Sequence, residues 1–172
     1  MVFLEIRHVV FVNKKEKTME SVSSTLVTAE QRIIYCDAEP FIPRGFVIVR
    51  HLSGGNIVWD KNAQAKEGAL WFSEGQKRSR TVEGESIREE LSRLQKPVLN
   101  ACVLDYLYAH PDARPEGWWK YFVLFWGTIY EEVHSHCECV RYLCSDNGKS
   151  YSGTVRLNIP LNSFNPAALR AI

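Results

Sequence analysis

The sequence predicts an α+β domain in which a curved antiparallel sheet, largely a meander, packs against two helices at about residues 86–96 and 97–110. Three observations carry that prediction. Short runs of β-branched and aromatic residues recur between Gly- and Asn-rich breaks. Two adjoining segments near the middle of the chain switch to helical spacing. A later run, KYFVLFWGTIY, is apolar at both parities, as a strand covered on both faces requires.

Taken in order, Val2, Leu4 and Ile6 alternate with Glu5 and Arg7, which suits a strand, and Val9 to Val12 continue as an apolar run. The polar break NKKEKTMESVSS follows, so residues 1–18 read as a peripheral strand and loop on a single domain spanning 1–172. A second strand is expected around Arg32 to Cys36. GFVIVRHLSGGNIVWD reads as a hairpin, with two β-branched runs flanking the turn cluster Ser53-Gly54-Gly55-Asn56. GALWFSEGQ adds a short strand and a glycine turn.

The helical pair comes next. Ser86 with Glu89 three residues on has the capping-box pattern, and Ile87, Leu91 and Leu94 then repeat at helical spacing. Pro97 stands where a second helix can start, because its missing N–H is not needed there. That segment, PVLNACVLDYLYAHP, is apolar on nearly every side and belongs at the centre of the core, with Pro111 as its stop. DARPEGWW is a loop. The remainder is a meander: KYFVLFWGTIY, the return run CVRYLC, the turn Asp146-Asn147-Gly148, and the alternating, half-exposed SYSGTVRLNI. Pro160 and Pro166 bracket an irregular tail.

Bulk composition narrows the function classes. Basic and acidic side chains number 21 and 20, for a formal charge of +1, so no global field draws the chain to nucleic acid or an anionic membrane. Five cysteines, an odd number unevenly spaced, read as free thiols in a reducing compartment. The opening apolar run is interrupted by Glu5, Arg7 and His8 and has no small-residue cleavage site, unlike a secretory leader. No apolar run is long enough to span a bilayer. The expected address is cytoplasmic, without membrane contact.

Two segments carry candidate chemistry. HSHCEC, residues 134–139, holds two histidines and two cysteines. If extended, it turns His134 and His136 to one face and Cys137 and Cys139 to the other, so one strand cannot aim both pairs at a single ion. A curled loop can, and a zinc ion held by His134, His136, Cys137 and Cys139 with an open position would activate water. The bland reading is the tip of a turn between two strands. QKRSR supplies Lys77, Arg78 and Arg80, which with Trp118, Lys120 and Tyr121 offer phosphate contacts and a stacking platform for single-stranded nucleic acid. Its bland reading is a solvated basic loop beside core tryptophans. As adjacent strand residues, Trp118 and Trp119 would face opposite ways, so only one could join a platform. Asp105 on the apolar helix must be paired or protonated if buried, and His51 reads as a hydrogen-bonded core or rim residue. SGGN lacks the context of a phosphate cradle, and no hydrolase elbow, zinc-protease or kinase motif is present.

The runs FWGTIY (125–130), VRYL (140–143) and NPAALRA (165–171), with the upstream PVLNACVLDYLYAHP and PEGW, resemble a carboxy-terminal module of uncharacterised prokaryotic proteins. The resemblance covers roughly residues 97–171. It implies a bacterial or phage-like origin and a helix-plus-meander module, and it brings no activity or site residue. The chain departs from the pattern at HSHCEC, where an acidic or glycine turn is expected.

These readings favour a non-catalytic interaction protein without a cofactor, using an exposed apolar face or free sheet edge to self-associate or dock a protein partner. The alternatives are a small nucleic-acid-binding protein using the basic loop, and a zinc protein, even a hydrolase, built on HSHCEC.

Overall fold

The computed structural model describes residues 32–65 and 69–171. The strand expected over Val2 to Val12 lies outside them. The described chain is an α+β fold of open, mostly antiparallel sheets packed with helices.

Strand β1 (Arg32–Tyr35) begins it, followed by β2 (Phe46–His51), β3 (Asn56–Trp59) and a short helix α1 (Lys61–Gln64). Then come β4 (Leu70–Trp71), α2 (Glu74–Lys77), β5 (Val82–Glu83), α3 (Gly84–Arg93) and α4 (Ala101–Ala109). After two 3₁₀ turns the long hairpin strands follow: β6 (Val123–Glu132), β7 (Glu138–Asp146) and β8 (Lys149–Arg156). Two short strands, β9 (Pro160–Leu161) and β10 (Ala167–Ala168), complete it.

The main sheet runs β4-β10-β6-β7-β8, and β2 also pairs with β6. Its centre is β6, buried from Val123 to Tyr130 as its two-sided apolar sequence requires. On one face Leu99 and the α4 residues Val103, Leu104 and Leu107 pack against Val123, Phe125 and Leu143. On the other, α3 packs Ile87 and Leu91 against Leu124, Trp126 and Ile129. The strand is broken at its middle. From Leu124 to Ile129 it advances five residues while β7 advances only two, Tyr142 to Val140. There the Gly127 N–H donates to Leu99 O at 2.9 Å, and Leu52 N–H donates to Gly127 O at 2.7 Å. A Cβ on Gly127 would lie 2.8 Å from Asn100 Cα, so only glycine fits. The break also changes the side-chain parity: Trp126 faces α3, whereas the Thr128 hydroxyl meets Ala101 N–H on the α4 side at 3.0 Å.

Several expectations are corrected. GFVIVRHLSGGNIVWD does not form a hairpin: β2 pairs with β6, and β3 pairs with β1. Turn chemistry at Ser53–Asn56 is local, but the partner of each strand is set by distant burial, and Ile57 and Trp59 join Ile34 over α4. The helix expected over 97–110 starts only at Ala101. Residues 97–100 are extended instead, because Leu99 N–H donates to Ala168 O and Arg170 N–H to Pro97 O. Ser86 does not cap α3, which already begins at Gly84. The orphan N–H groups of Gly84 and Glu85 are met by the carbonyls of Ile159 and Leu157. A complete capping box occurs earlier, between Ser73 and Gln76. The tail after Pro160 is not irregular throughout, since β10 enters the sheet between β4 and β6, parallel to β6.

Candidate functional site

HSHCEC spans the tip of the β6–β7 hairpin. Val133 to His136 make the turn, and His136 N–H closes it on Glu132 O at 2.8 Å. His136 adopts φ 53°, the left-handed conformation that ends such loops. His134 and His136 are exposed, Cys137 is half-buried, and Cys139 is buried in β7, where desolvation pushes its thiol up to about 11. His136 and Cys137 border a surface depression with Glu83, Glu85 and Glu138. Among the described residues no three His, Cys, Asp or Glu side chains are placed to hold one metal ion.

The basic-loop set divides. Lys77, Arg78, Arg80 and Lys120 are exposed, with Lys77 paired to Glu74 at 2.7 Å and Lys120 over the Tyr121 ring. Trp118 is only 2% exposed and cannot stack a base; this corrects the expected platform. The two tryptophans lie at a 3₁₀ turn rather than on a strand, and Trp118 packs edge-on against Trp59 and Phe125. Trp119 instead carries the guanidinium of Arg114, whose centre lies 4.5 Å from the ring.

His51, Asp105 and two buried thiols are engaged structurally. Thr128 Oγ1 accepts from Ala101 N–H and lies 2.8 Å from His51 Nδ1. Because a carbonyl oxygen can only accept, His51 Nε2 donates to Cys36 O at 3.0 Å, and both ring nitrogens are engaged in hydrogen bonds. Desolvation pushes the Cys36 and Cys102 thiols up to about 11, so neither is a ready nucleophile at neutral pH. Asp105 is paired with Arg141 at 2.8 Å.

Among the described residues, two surfaces stand out as able to take a ligand or a partner. The first is the outward face of the β1–β3 pair. Its inward side chains Ile34, Ile57 and Trp59 are core, yet the outward ones are also large and apolar: Ile33 is 45%, Tyr35 62% and Val58 56% exposed. Ile33 and Val58 are directly opposed in the ladder, so they form one contiguous patch. The second is a pair of adjoining clefts between the end of β2 and the α3–α4 connection, which share Leu52, Lys96 and Val98. Neither was singled out from the sequence. The alternation of Ile33 with Ile34 was visible, but which parity faces solvent depends on α4. The chain matches no protein-family model, no curated protein and no solved structure.

Proposed function

We propose that the protein is a non-catalytic interaction protein that self-associates through the outward face of β1 and β3. The observation that carries this reading is a two-stranded sheet apolar on both faces, with Ile33, Tyr35 and Val58 left exposed. An uncharged patch of this kind is self-complementary, which is what a twofold contact between identical surfaces demands. A net charge of +1 leaves little long-range repulsion between copies. The patch is small, so the association is weak and concentration-dependent. The engagement of His51, Asp105 and the buried thiols in structural contacts supports a binding role over a catalytic one.

The test is sedimentation velocity of the full chain from about 1 to several hundred micromolar, the range of weak interfaces. A mass that rises with concentration, and falls back in Val58→Lys, is the expected result. A strict monomer throughout overturns self-association. Retention of a different protein by the wild-type chain and not by Val58→Lys would reassign the same face to that partner.

A further inference from the structure

We infer that the groove between the end of β2 and the α3–α4 connection binds an extended acidic peptide segment of a partner protein. The inference is independent of the β1–β3 face. The groove consists of the two adjoining clefts. The first, of about 190 Å³, is bordered by Arg50, Arg88 and Ser92 and backed by Leu91 and Trp126. The second, of about 300 Å³, is lined by Cys36, Gly54, Asn100 and Arg170 among others. Lys96 stands where they meet, with Leu52 and Val98 as apolar flanks.

Charge along the groove is one-sided. Arg50, Lys96 and Arg170 make no ion pair among the described residues. Arg88 is held by Glu85 and Glu138, each at 2.5 Å, and these carboxylates offset it; Arg93 and Glu89 flank the outer mouth beside Arg50. A row of three uncompensated cations favours a ligand with several spaced anionic groups.

Hydrogen-bonding capacity then selects the ligand class. Trp126 is 1% exposed and Asn100 4% exposed, yet the Trp126 indole N–H and the Asn100 Oδ1 have no partner among the described residues. Each atom is almost without accessible surface, so one cleft is backed by an unused donor and the other by an unused acceptor, each reached only as its cleft opens. Leaving such buried groups unpaired is costly, so they are informative about what completes them. An extended peptide offers both complements, a carbonyl for Trp126 and an N–H for Asn100, while its acidic side chains meet Arg50, Lys96 and Arg170. A DNA backbone offers acceptors only, and among the described residues lining the groove none exposes an aromatic ring on which bases could stack. The Asn100 amide nitrogen is already committed to Cys36 O at 2.8 Å and Leu52 O at 3.0 Å, which fixes Oδ1 as the free end.

The experiment uses the full chain, a fluorescein-labelled peptide of about ten alternating Glu and Ala residues, and an oligothymidylate of equal charge. Fluorescence anisotropy should show saturable peptide binding that weakens with salt. Arg50→Glu with Lys96→Glu should weaken it by about tenfold or more, whereas Lys77→Glu with Arg80→Glu leaves it unchanged within about twofold. Val58→Lys should bind the peptide normally, which separates this site from the self-association face. The Trp126 indole resonance in a ¹⁵N–¹H spectrum should move on titration. No saturable binding, an equal loss in both charge variants, or a stationary Trp126 resonance overturns the proposal. Oligothymidylate binding as tightly at the same residues would also overturn it, in favour of a nucleic-acid ligand.

Discussion

Arg141 on β7 donates to Asp105 on α4 at 2.8 Å, and the guanidinium is almost wholly buried. The pair does more than join helix to sheet. Phe41 N–H donates to the other Asp105 oxygen at 2.7 Å, and Phe41 O accepts from Arg141 and from the Tyr130 hydroxyl, each at 3.1 Å. The segment between β1 and β2 is therefore anchored on one ion pair. Removing one partner strands a buried charge, so Asp105→Ala should cost roughly 3–5 kcal/mol in urea unfolding. The double variant Asp105→Ala with Arg141→Met should cost less than the sum of the single changes. Additive losses would show that the pair is not coupled.

Gly127→Ala should destabilise the fold by roughly 1–3 kcal/mol, because the new methyl group would press on the Asn100 backbone, which is held between Leu99, bonded to Ala168 and Gly127, and the first turn of α4. Gly117 provides the control, since nothing lies within 4 Å of a Cβ there. Thermal unfolding of both variants measures the difference. Equal melting temperatures would mean the break in β6 can open to accept a side chain.

At the hairpin tip, His136→Gly should stabilise the protein by about 1 kcal/mol, since glycine enters the left-handed conformation without the Cβ penalty. The lost contact to Glu131, at 2.9 Å on the surface, contributes little against that. A loss of stability together with loss of a bound zinc ion in native mass spectrometry would point instead to a metal at HSHCEC.

Alkali should weaken the fold. Burial raises the Cys36, Cys102 and Cys139 thiols from 9.0 to about 11, so in the unfolded chain they lose protons first. The folded state holds more protons between those values, and its stability therefore falls as pH rises from about 9 to about 11 and is unaffected by these groups below 9. Urea midpoints at pH 8, 9, 10 and 11 measure the slope. In parallel, iodoacetamide at pH 8 should modify the half-buried Cys137 ahead of the other four. Early labelling of Cys36 would contradict the burial assigned to it.

Legibility from sequence followed the range of the interaction. The two-sided burial of β6, the Asp146-Asn147-Gly148 turn with Asn147 and Gly148 at φ 49° and 76°, and the hydrogen-bonded His51 all depend on local pattern or residue chemistry, and all were readable. The partner of β2 was not, because Ser53–Asn56 has the composition of a hairpin turn and only pairing with β6 decides otherwise. Nor was the start of α4, since Pro97 is a good first helical residue until Leu99 N–H bonds Ala168 of the last strand and Pro97 O accepts from Arg170 N–H. The groove escaped notice for the same reason. Arg50, Lys96 and Arg170 are far apart in sequence, and β2, the α3–α4 connection and the segment after β10 bring them together. HSHCEC drew attention through density of functional groups, which says nothing about whether they converge.

Because β10 lies between β4 and β6, the order in which the chain is made constrains the order in which it can fold. When β6 leaves the ribosome, Leu124 has no neighbour on that side until Ala167 follows, more than a full hairpin later. The central strand must spend that interval with one flank open, at the stage when an apolar edge is most exposed to chance pairing. Closure is thus a late event, and a ribosome stalled before Pro166 would display an unfinished sheet to whatever chaperone or neighbouring chain reached it first.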